Sequence, residues 1–133
     1  MALKTTARRM VEEATAAIES VPVEEALALV HDETVQFVDI RDVRELDREG
    51  MIPGACHAPR GMLEFWVDPE SPYHRDVFAS DRKFILYCAA AARSALATKT
   101  LQDMGFGPVA QLAGGFAAWK AAGGDVVERP RKS

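Results

Sequence analysis

The sequence predicts an α/β fold in which a central parallel β-sheet of about five strands carries helices on both faces. Short apolar segments alternate with amphipathic segments along the chain, an order typical of parallel strands joined by helices. Residues 84–87 form a fully apolar run, as expected of a central strand that is buried on both faces. The length of 133 residues, with 48% apolar and 27% charged residues, indicates one ordinary globular domain.

The N-terminal part is predicted to begin with two helices. A segment rich in Ala, Glu and Arg, with its apolar residues roughly on one face, predicts an amphipathic first helix. Acidic residues at the start of the second helix suit the helix dipole, and β-branched and aromatic residues then predict a strand. The predicted order is helix 5–20, helix 24–30, strand 35–40, helical turn 42–49 and strand 55–58.

The C-terminal part continues the alternation after a segment, 60–80, whose pattern indicates little beyond a helix start near Trp66. Strand 84–87 is followed by helix 93–104, which Gly105 ends. Strand 109–112 then leads into helix 116–122. We interpret the chain as a helical extension at 1–20, one domain at 21–127 and a polar tail at 128–133.

Composition excludes several classes of function. The formal net charge of -4 gives no reason to expect nucleic acid or an acidic membrane as a partner. Cys56 and Cys88 form no CxxC pair, and the three histidines are scattered, so no metal site is predicted. No apolar segment is long enough to cross a membrane and no signal peptide is recognisable, so we expect a reducing, cytoplasmic location.

The segment after strand 84–87 is the strongest functional signal. Cys88 ends the apolar run, small residues follow, and Arg93 and Ser94 begin a helix. Backbone N–H groups at a helix N-terminus lower the pKa of a thiol and bind anions. We therefore predict that Cys88 is a thiolate nucleophile and that Arg93 adds a fixed positive charge. A buried, inert cysteine is the alternative, which the order strand, cysteine, small loop, arginine, helix argues against. The predicted binding residues of the loop are Ala89, Ala90, Ala91, Ala92 and Ser94.

Other side chains support weaker hypotheses. Asp39 and Arg41 could form an ion pair that supports the loop. The preferred interpretation is that the pair has a purely structural role. Arg60 follows a strand end. Its side chain either attracts an anionic substrate or is a solvated surface arginine, and the sequence leaves both interpretations open. Cys56 could act as a resolving thiol that attacks an oxidised Cys88. The simpler interpretation is that Cys56 is a small core residue.

Four segments resemble, in order along the chain, the motifs of the rhodanese, or thiosulfate sulfurtransferase, family. Residues 37–41 resemble the early strand with its Asp-x-Arg, and 49–55 resemble the Gly-His-Ile-Pro-Gly-Ala turn. Residues 87–94 resemble the active-site loop, and 112–119 resemble the closing Leu-x-Gly-Gly-x-x-x-Trp. The resemblance covers nearly the whole domain and implies the three-layer rhodanese fold.

The resemblance also implies a ping-pong transfer of sulfur. Cys88 attacks the outer sulfur of a small anionic donor such as thiosulfate and becomes a persulfide, which a thiol, cyanide or a sulfur-accepting protein then discharges. The loop amides and Arg93 stabilise the negative charge. Neither a metal nor an organic cofactor is expected to take part.

Two departures from the family keep alternatives open. The family usually has glycine where Ala91 stands, and alanine is strained at a positive φ; Met51 replaces the histidine of the turn. The change at position 91 motivates a second hypothesis, a low-turnover sulfur carrier or regulatory binding module. The third hypothesis is a phosphatase or arsenate reductase. It is disfavoured because the related phosphatases have five residues between cysteine and arginine, whereas four residues separate Cys88 from Arg93.

Overall fold

The computed structural model of the chain describes residues 2–130, so the last part of the predicted tail, 131–133, lies outside the described residues. Strands and helices alternate within it. The strands are β1 (Glu19–Val21), β2 (Val35–Asp39), β3 (Cys56–His57), β4 (Lys83–Tyr87) and β5 (Val109–Leu112). The helices are α1 (Ala7–Ala17), α2 (Val23–Leu27), α3 (Val43–Glu49), α4 (Leu63–Val67), α5 (Ala92–Asp103) and α6 (Gly115–Ala121).

The strands form one parallel sheet in the order β1-β5-β4-β2-β3. β4 is central, with Tyr87 in register with Asp39 of β2 and Leu86 in register with Gln111 of β5. The predicted α/β class and five-stranded parallel sheet are confirmed.

Side chains of β4 alternate between two hydrophobic cores, one on each face of the sheet. Phe84 and Leu86 pack with apolar residues of α4 and α5, whereas Ile85 and Tyr87 pack with apolar residues of α2 and α6. This alternation follows from the two-residue period of a strand. Helices therefore cover both faces, which explains why the run 84–87 is apolar throughout.

The predicted first helix is too long, because residues 19–20 belong to a strand. α1 ends at Ala17, Ile18 has extended backbone, and β1 pairs with β5 at the edge of the sheet. Val21 is the buried residue of β1. β1 has three residues and one buried side chain, which is too short a segment to show an alternation of apolar and polar residues in the sequence.

The segment 60–80 contains short helical pieces. A 3-10 turn at Arg60–Met62 runs directly into α4, and a second one at Asp76–Ala79 precedes β4. Leu63, Val67 and Phe78 are buried in the core that also contains Phe84. The segment therefore covers one face of the sheet with scattered apolar residues rather than with one long helix.

The first turn of α3 is fixed by a capping box, in which side chains satisfy free backbone N–H groups reciprocally. Asp42 Oδ1 accepts from the N–H of Arg44 at 2.9 Å, and Glu45 Oε2 accepts from the N–H of Asp42 at 3.0 Å. The box holds Glu45 on the side of α3 that faces Arg93.

Candidate active site

Cys88 lies directly after β4, at the edge of the sheet where parallel strands end and ligands of α/β proteins bind. Four residues later α5 begins at Ala92. The cysteine is only 1% exposed. A reactant must therefore come close to the loop backbone to touch the sulfur.

The sulfur of Cys88 is surrounded by hydrogen-bond donors. The N–H of Ser94 donates to Sγ at 3.4 Å, and the N–H groups of Ala90 and Ala91 also bond to it. Burial raises the pKa of the Cys88 thiol, but the bonds from Ser94, Ala90 and Ala91 outweigh burial and bring the pKa below its ordinary value. The site therefore favours a sulfur atom that carries negative charge.

The hydroxyl of Ser94 connects this sulfur to the neighbouring strands. When Cys88 is protonated, its thiol donates to Ser94 Oγ at 3.6 Å and Ser94 Oγ donates to Gln111 Oε1 at 2.8 Å. When Cys88 is a thiolate, the Ser94 hydroxyl donates to the sulfur instead, which is the side-chain bond that lowers the pKa of Cys88. Gln111 Nε2 in turn donates to Ser20 Oγ of β1 at 3.0 Å. Sequence reasoning named Ser94 but missed Gln111 and Ser20. The available signal was Gln111 itself, a polar residue inside a strand that is buried along its whole length.

Ala91 gives the loop its shape. Its φ of 75° and ψ of 11° are left-handed, and within residues 2–130 it is the only residue other than glycine with a positive φ. This conformation costs an alanine about 1–2 kcal/mol. The strain anticipated at this position is present, and it occurs where the chain turns from the loop into α5.

The start of α6 holds the loop from the outside. The N–H of Phe116 donates to the carbonyl of Cys88 at 2.8 Å, and the N–H of Ala117 donates to that of Ala89 at 3.0 Å. A Cβ on Gly115 would lie 2.7 Å from the Cys88 carbonyl oxygen and 2.8 Å from that of Ala89. Because the Ala89 carbonyl is bonded to α6, the N–H of Ala90 in the same peptide unit points the other way, toward the sulfur.

Arg93 is paired with a residue that sequence reasoning missed. Its Nη1 and Nη2 donate to Glu45 Oε2 and Oε1 at 2.8 and 3.0 Å. The bond to Glu45 raises the pKa of Arg93, and the neighbouring Cys88 sulfur adds to the rise. The bond from Arg93 in turn lowers the pKa of Glu45. The detectable signal was the spacing of Asp42 and Glu45, which is that of a capping box.

Arg60 also forms an ion pair with a carboxylate. Its Nη1 donates to Glu64 Oε1 of α4 at 2.7 Å, and its side chain is 34% exposed. The structure therefore places Arg60 against α4, where Glu64 is its partner.

Asp39 and Arg41 form a fully buried ion pair. Arg41 Nη2 donates to Asp39 Oδ2 at 2.7 Å and Nε donates to Oδ1 at 3.0 Å, with both side chains 0% exposed. Nη2 also donates to the carbonyl of Gly50 at 2.7 Å, and the guanidinium carbon lies 4.3 Å from the ring centroid of Phe116. The pair connects the end of β2 to the turn after α3 and to α6, the helix that bonds to the loop.

Cys56 and Cys88 are both free thiols; Cys56 lies on β3 and Cys88 directly after β4, and these two strands are not neighbours in the sheet. Cys56 is in register with Val38 of β2, and Val38 is in register with Leu86 of β4. Two strand spacings amount to about 10 Å, more than the roughly 7 Å between Cα atoms that a disulfide tolerates. Burial raises the pKa of Cys56, so the structure favours the core role over a resolving thiol.

An open pocket of about 400 Å³ adjoins the loop. Helix α1 forms one wall of it through Val11 and Thr15. The remaining wall residues are Ser20, Ala90, Ala91, Ala92, Gln111, Ala113 and Gly114.

Within residues 2–130, no three His, Cys, Asp or Glu side chains come together as a group able to hold a metal ion. The helices in this same part of the chain are all too short or too polar to cross a membrane.

Comparison with known proteins decides the family. The family model described as the rhodanese-like domain matches residues 22–122. The chain belongs to the rhodanese-like domain family. This rhodanese-like chain is 34% identical over 99 residues to a sulfurtransferase of Allochromatium vinosum, covering 74% of this chain and 84% of that protein. It is 30% identical over 114 residues to a thiosulfate sulfurtransferase of Pseudoalteromonas translucida, covering 85% and 99%.

A solved structure from Rhodopseudomonas palustris superposes on this rhodanese-like chain with a TM-score of 0.92. The two sequences are 48% identical, and the match covers 96% of this chain and 98% of the other. That protein is described as one of unknown function and a possible tyrosine phosphatase. The rhodanese resemblance drawn from the four motifs is confirmed, and the curated relatives place the chain in a sulfurtransferase family.

Proposed function

We propose that this rhodanese-like protein moves sulfane sulfur from a small anionic donor such as thiosulfate to a thiol acceptor, through a persulfide on Cys88. The observation that carries the proposal is the set of N–H donors from Ala90, Ala91 and Ser94 around one sulfur atom. A persulfide keeps the negative charge on sulfur. The same kind of donors therefore stabilises the thiolate and the intermediate.

In the first half-reaction, the Cys88 thiolate attacks the outer sulfur of thiosulfate. The bond between the two sulfur atoms of thiosulfate breaks, sulfite leaves with the bonding electron pair, and Cys88 becomes a persulfide anion. In the second half-reaction, an acceptor thiolate attacks the terminal sulfur of the persulfide. The acceptor leaves as a persulfide, and Cys88 returns as a thiolate.

The length of the loop favours sulfur transfer over phosphate chemistry. Four residues separate Cys88 from Arg93, so the loop is one residue shorter than that of the related phosphatases. Arg93 is also engaged by Glu45 through two nitrogens, which opposes the binding of a phosphate dianion. The description of the Rhodopseudomonas palustris protein makes phosphatase activity the alternative that the test must include.

The test is intact mass spectrometry after incubation with thiosulfate. We expect the wild-type protein and Cys56→Ser to gain the mass of one sulfur atom, and Cys88→Ser to gain none. Cyanide should then remove the added sulfur as thiocyanate. Cys56→Ser is the matched control because it removes the other free thiol.

Two results would refute the proposal. One is a wild-type protein that gains no sulfur from any sulfane donor. The other is Cys88-dependent hydrolysis of p-nitrophenyl phosphate by a protein that takes up no sulfur.

A further inference from the structure

We propose that Glu45 selects the charge of the sulfur donor: by neutralising Arg93, it makes the site prefer a singly charged sulfane donor over a dianion such as thiosulfate. The donors meant are organic persulfides and thiosulfonates, which carry one negative charge. This inference rests on the proposed sulfur transfer and names the donor class for the same site.

The Arg93–Glu45 pair occupies the guanidinium in the geometry that a donor's oxyanion would need. Both terminal nitrogens of Arg93 donate to the two oxygens of one carboxylate, at 2.8 and 3.0 Å. This is the two-pronged arrangement by which arginine binds carboxylates, sulfonates and phosphates. An incoming dianion must therefore displace Glu45 or approach it.

A second hydrogen bond and partial burial hold Glu45 in place. Its Oε2 also accepts the N–H of Asp42 at 3.0 Å, and its side chain is only 18% exposed. The carboxylate thus bridges the start of α3 and the active-site arginine. Because this bridge is built into the helix cap, the negative charge next to Arg93 is a fixed part of the site.

The neighbouring cations are paired as well. Arg60 is bound to Glu64 at 2.7 Å, and the buried Arg41 is bound to Asp39. Lys120, which shares a small pocket with Ala89 and Arg41, is bound to Glu49 at 3.1 Å. The attraction for a donor therefore comes chiefly from the loop N–H groups, which suit one charged sulfur atom rather than a doubly charged group.

Two donors with the same reacting atoms separate charge from chemistry. Thiosulfate is a dianion and releases sulfite, whereas methanethiosulfonate is a monoanion and releases methanesulfinate. In both reactions the Cys88 thiolate takes the sulfur bound to a sulfonyl group, and the leaving group departs with the electron pair of the broken bond. Each reaction leaves the same Cys88 persulfide.

The decisive variant is Glu45→Gln. Glutamine also closes a capping box at this position, so α3 keeps its cap while the negative charge is lost. Arg93 can then bind the sulfonate oxygens of thiosulfate. We expect the ratio of kcat/KM for thiosulfate to kcat/KM for methanethiosulfonate to rise about tenfold, because the dianion then forms one additional charge-assisted hydrogen bond with the site.

Three further measurements complete the experiment. Glu45→Asp keeps the charge, so its ratio should stay within about twofold of wild type. Glu13→Gln breaks an Arg–Glu pair on α1, outside the site, and should leave the ratio unchanged. In Glu45→Gln, kcat/KM for thiosulfate should also fall more steeply with ionic strength than in wild type, because an unpaired Arg93 attracts the dianion.

An unchanged donor ratio in Glu45→Gln would overturn the inference, whether both rate constants rise or both fall. In that case the wild-type protein still gains sulfur from both donors, and the proposed sulfur transfer stands. If the wild-type protein gains sulfur from neither donor, the proposed transfer fails and the inference fails with it.

Discussion

At the scale of single residues, Ser94 contacts the sulfur of Cys88 with two of its polar atoms. The backbone N–H lies 3.4 Å from Sγ and the hydroxyl oxygen 3.6 Å. Ser94→Ala keeps the N–H and removes the hydroxyl. We expect the pKa of Cys88 to rise, and its alkylation by iodoacetamide at neutral pH to slow about three- to tenfold.

The sign of the pH dependence follows from the lowered pKa of Cys88. Reactivity requires the thiolate, so the wild-type rate is retained as the pH falls below the ordinary thiol range and declines through the pKa of the folded state. In Ser94→Ala, this decline should begin at a higher pH. Thr98→Val removes another buried hydroxyl of α5, which has no hydrogen-bond partner among residues 2–130, and should leave the profile unchanged. If Ser94→Ala and wild type had the same pH profile, the Ser94 hydroxyl would not be a group that lowers the pKa of Cys88.

At the scale of elements, the contact between α6 and the loop is made possible by the absence of a side chain at Gly115. Gly115→Ala would place a Cβ 2.7 Å from the Cys88 carbonyl oxygen, at a φ of +64°. Since the obstacle is backbone, the loop or α6 must move. We expect a loss of about 2–4 kcal/mol in the free energy of unfolding, together with slower alkylation of Cys88. Urea denaturation and the alkylation rate check the two effects.

Gly105→Ala is the matched control for this substitution. Gly105 has a φ of +85°, but nothing lies within 4 Å of its added Cβ. Gly105→Ala should lower the free energy of unfolding only by the conformational cost of a positive φ, about 1 kcal/mol. The reactivity of Cys88 should stay normal. Equal losses in both variants would mean that the close approach of α6 contributes nothing to the loop.

At the scale of the whole molecule, the buried Asp39–Arg41 pair joins parts of the chain that are distant in sequence. Asp39→Asn would leave the Arg41 guanidinium, which is 0% exposed, without its counter-charge. We expect a loss of about 3–5 kcal/mol in the free energy of unfolding, as when one partner of a buried pair is removed. Chemical denaturation followed by far-UV circular dichroism measures it.

Asp42→Asn is the control for charge removal at an aspartate that is paired with arginine. Asp42 bonds to Arg44 on the surface, and asparagine is an equally good N-cap for α3. This variant should have little effect on unfolding. A similarly small effect of Asp39→Asn would show that the buried pair does not hold the fold together.

The features that the sequence predicts are those encoded by neighbouring residues. β5 has the predicted bounds, 109–112, because a mostly apolar segment lies between turn residues. The Cys88 loop was also recognisable, since its strand, small residues and helix follow one another. Glu45, Gln111 and Ser20 were missed because each meets the site through a contact between separate elements. β1 was missed because its pairing with β5 is a long-range event with little local pattern.

The hydrogen-bonded chain from Cys88 through Ser94 and Gln111 ends on Ser20, in the edge strand β1. Strands at the edge of a sheet open at a lower free energy than those at its centre. We expect an opening of β1 to take Ser20 away from Gln111, to free the amide of Gln111 to rotate, and to loosen the acceptor that orients the Ser94 hydroxyl. Local unfolding of β1 should then change the reactivity of the Cys88 thiol, which lies on the other side of β5.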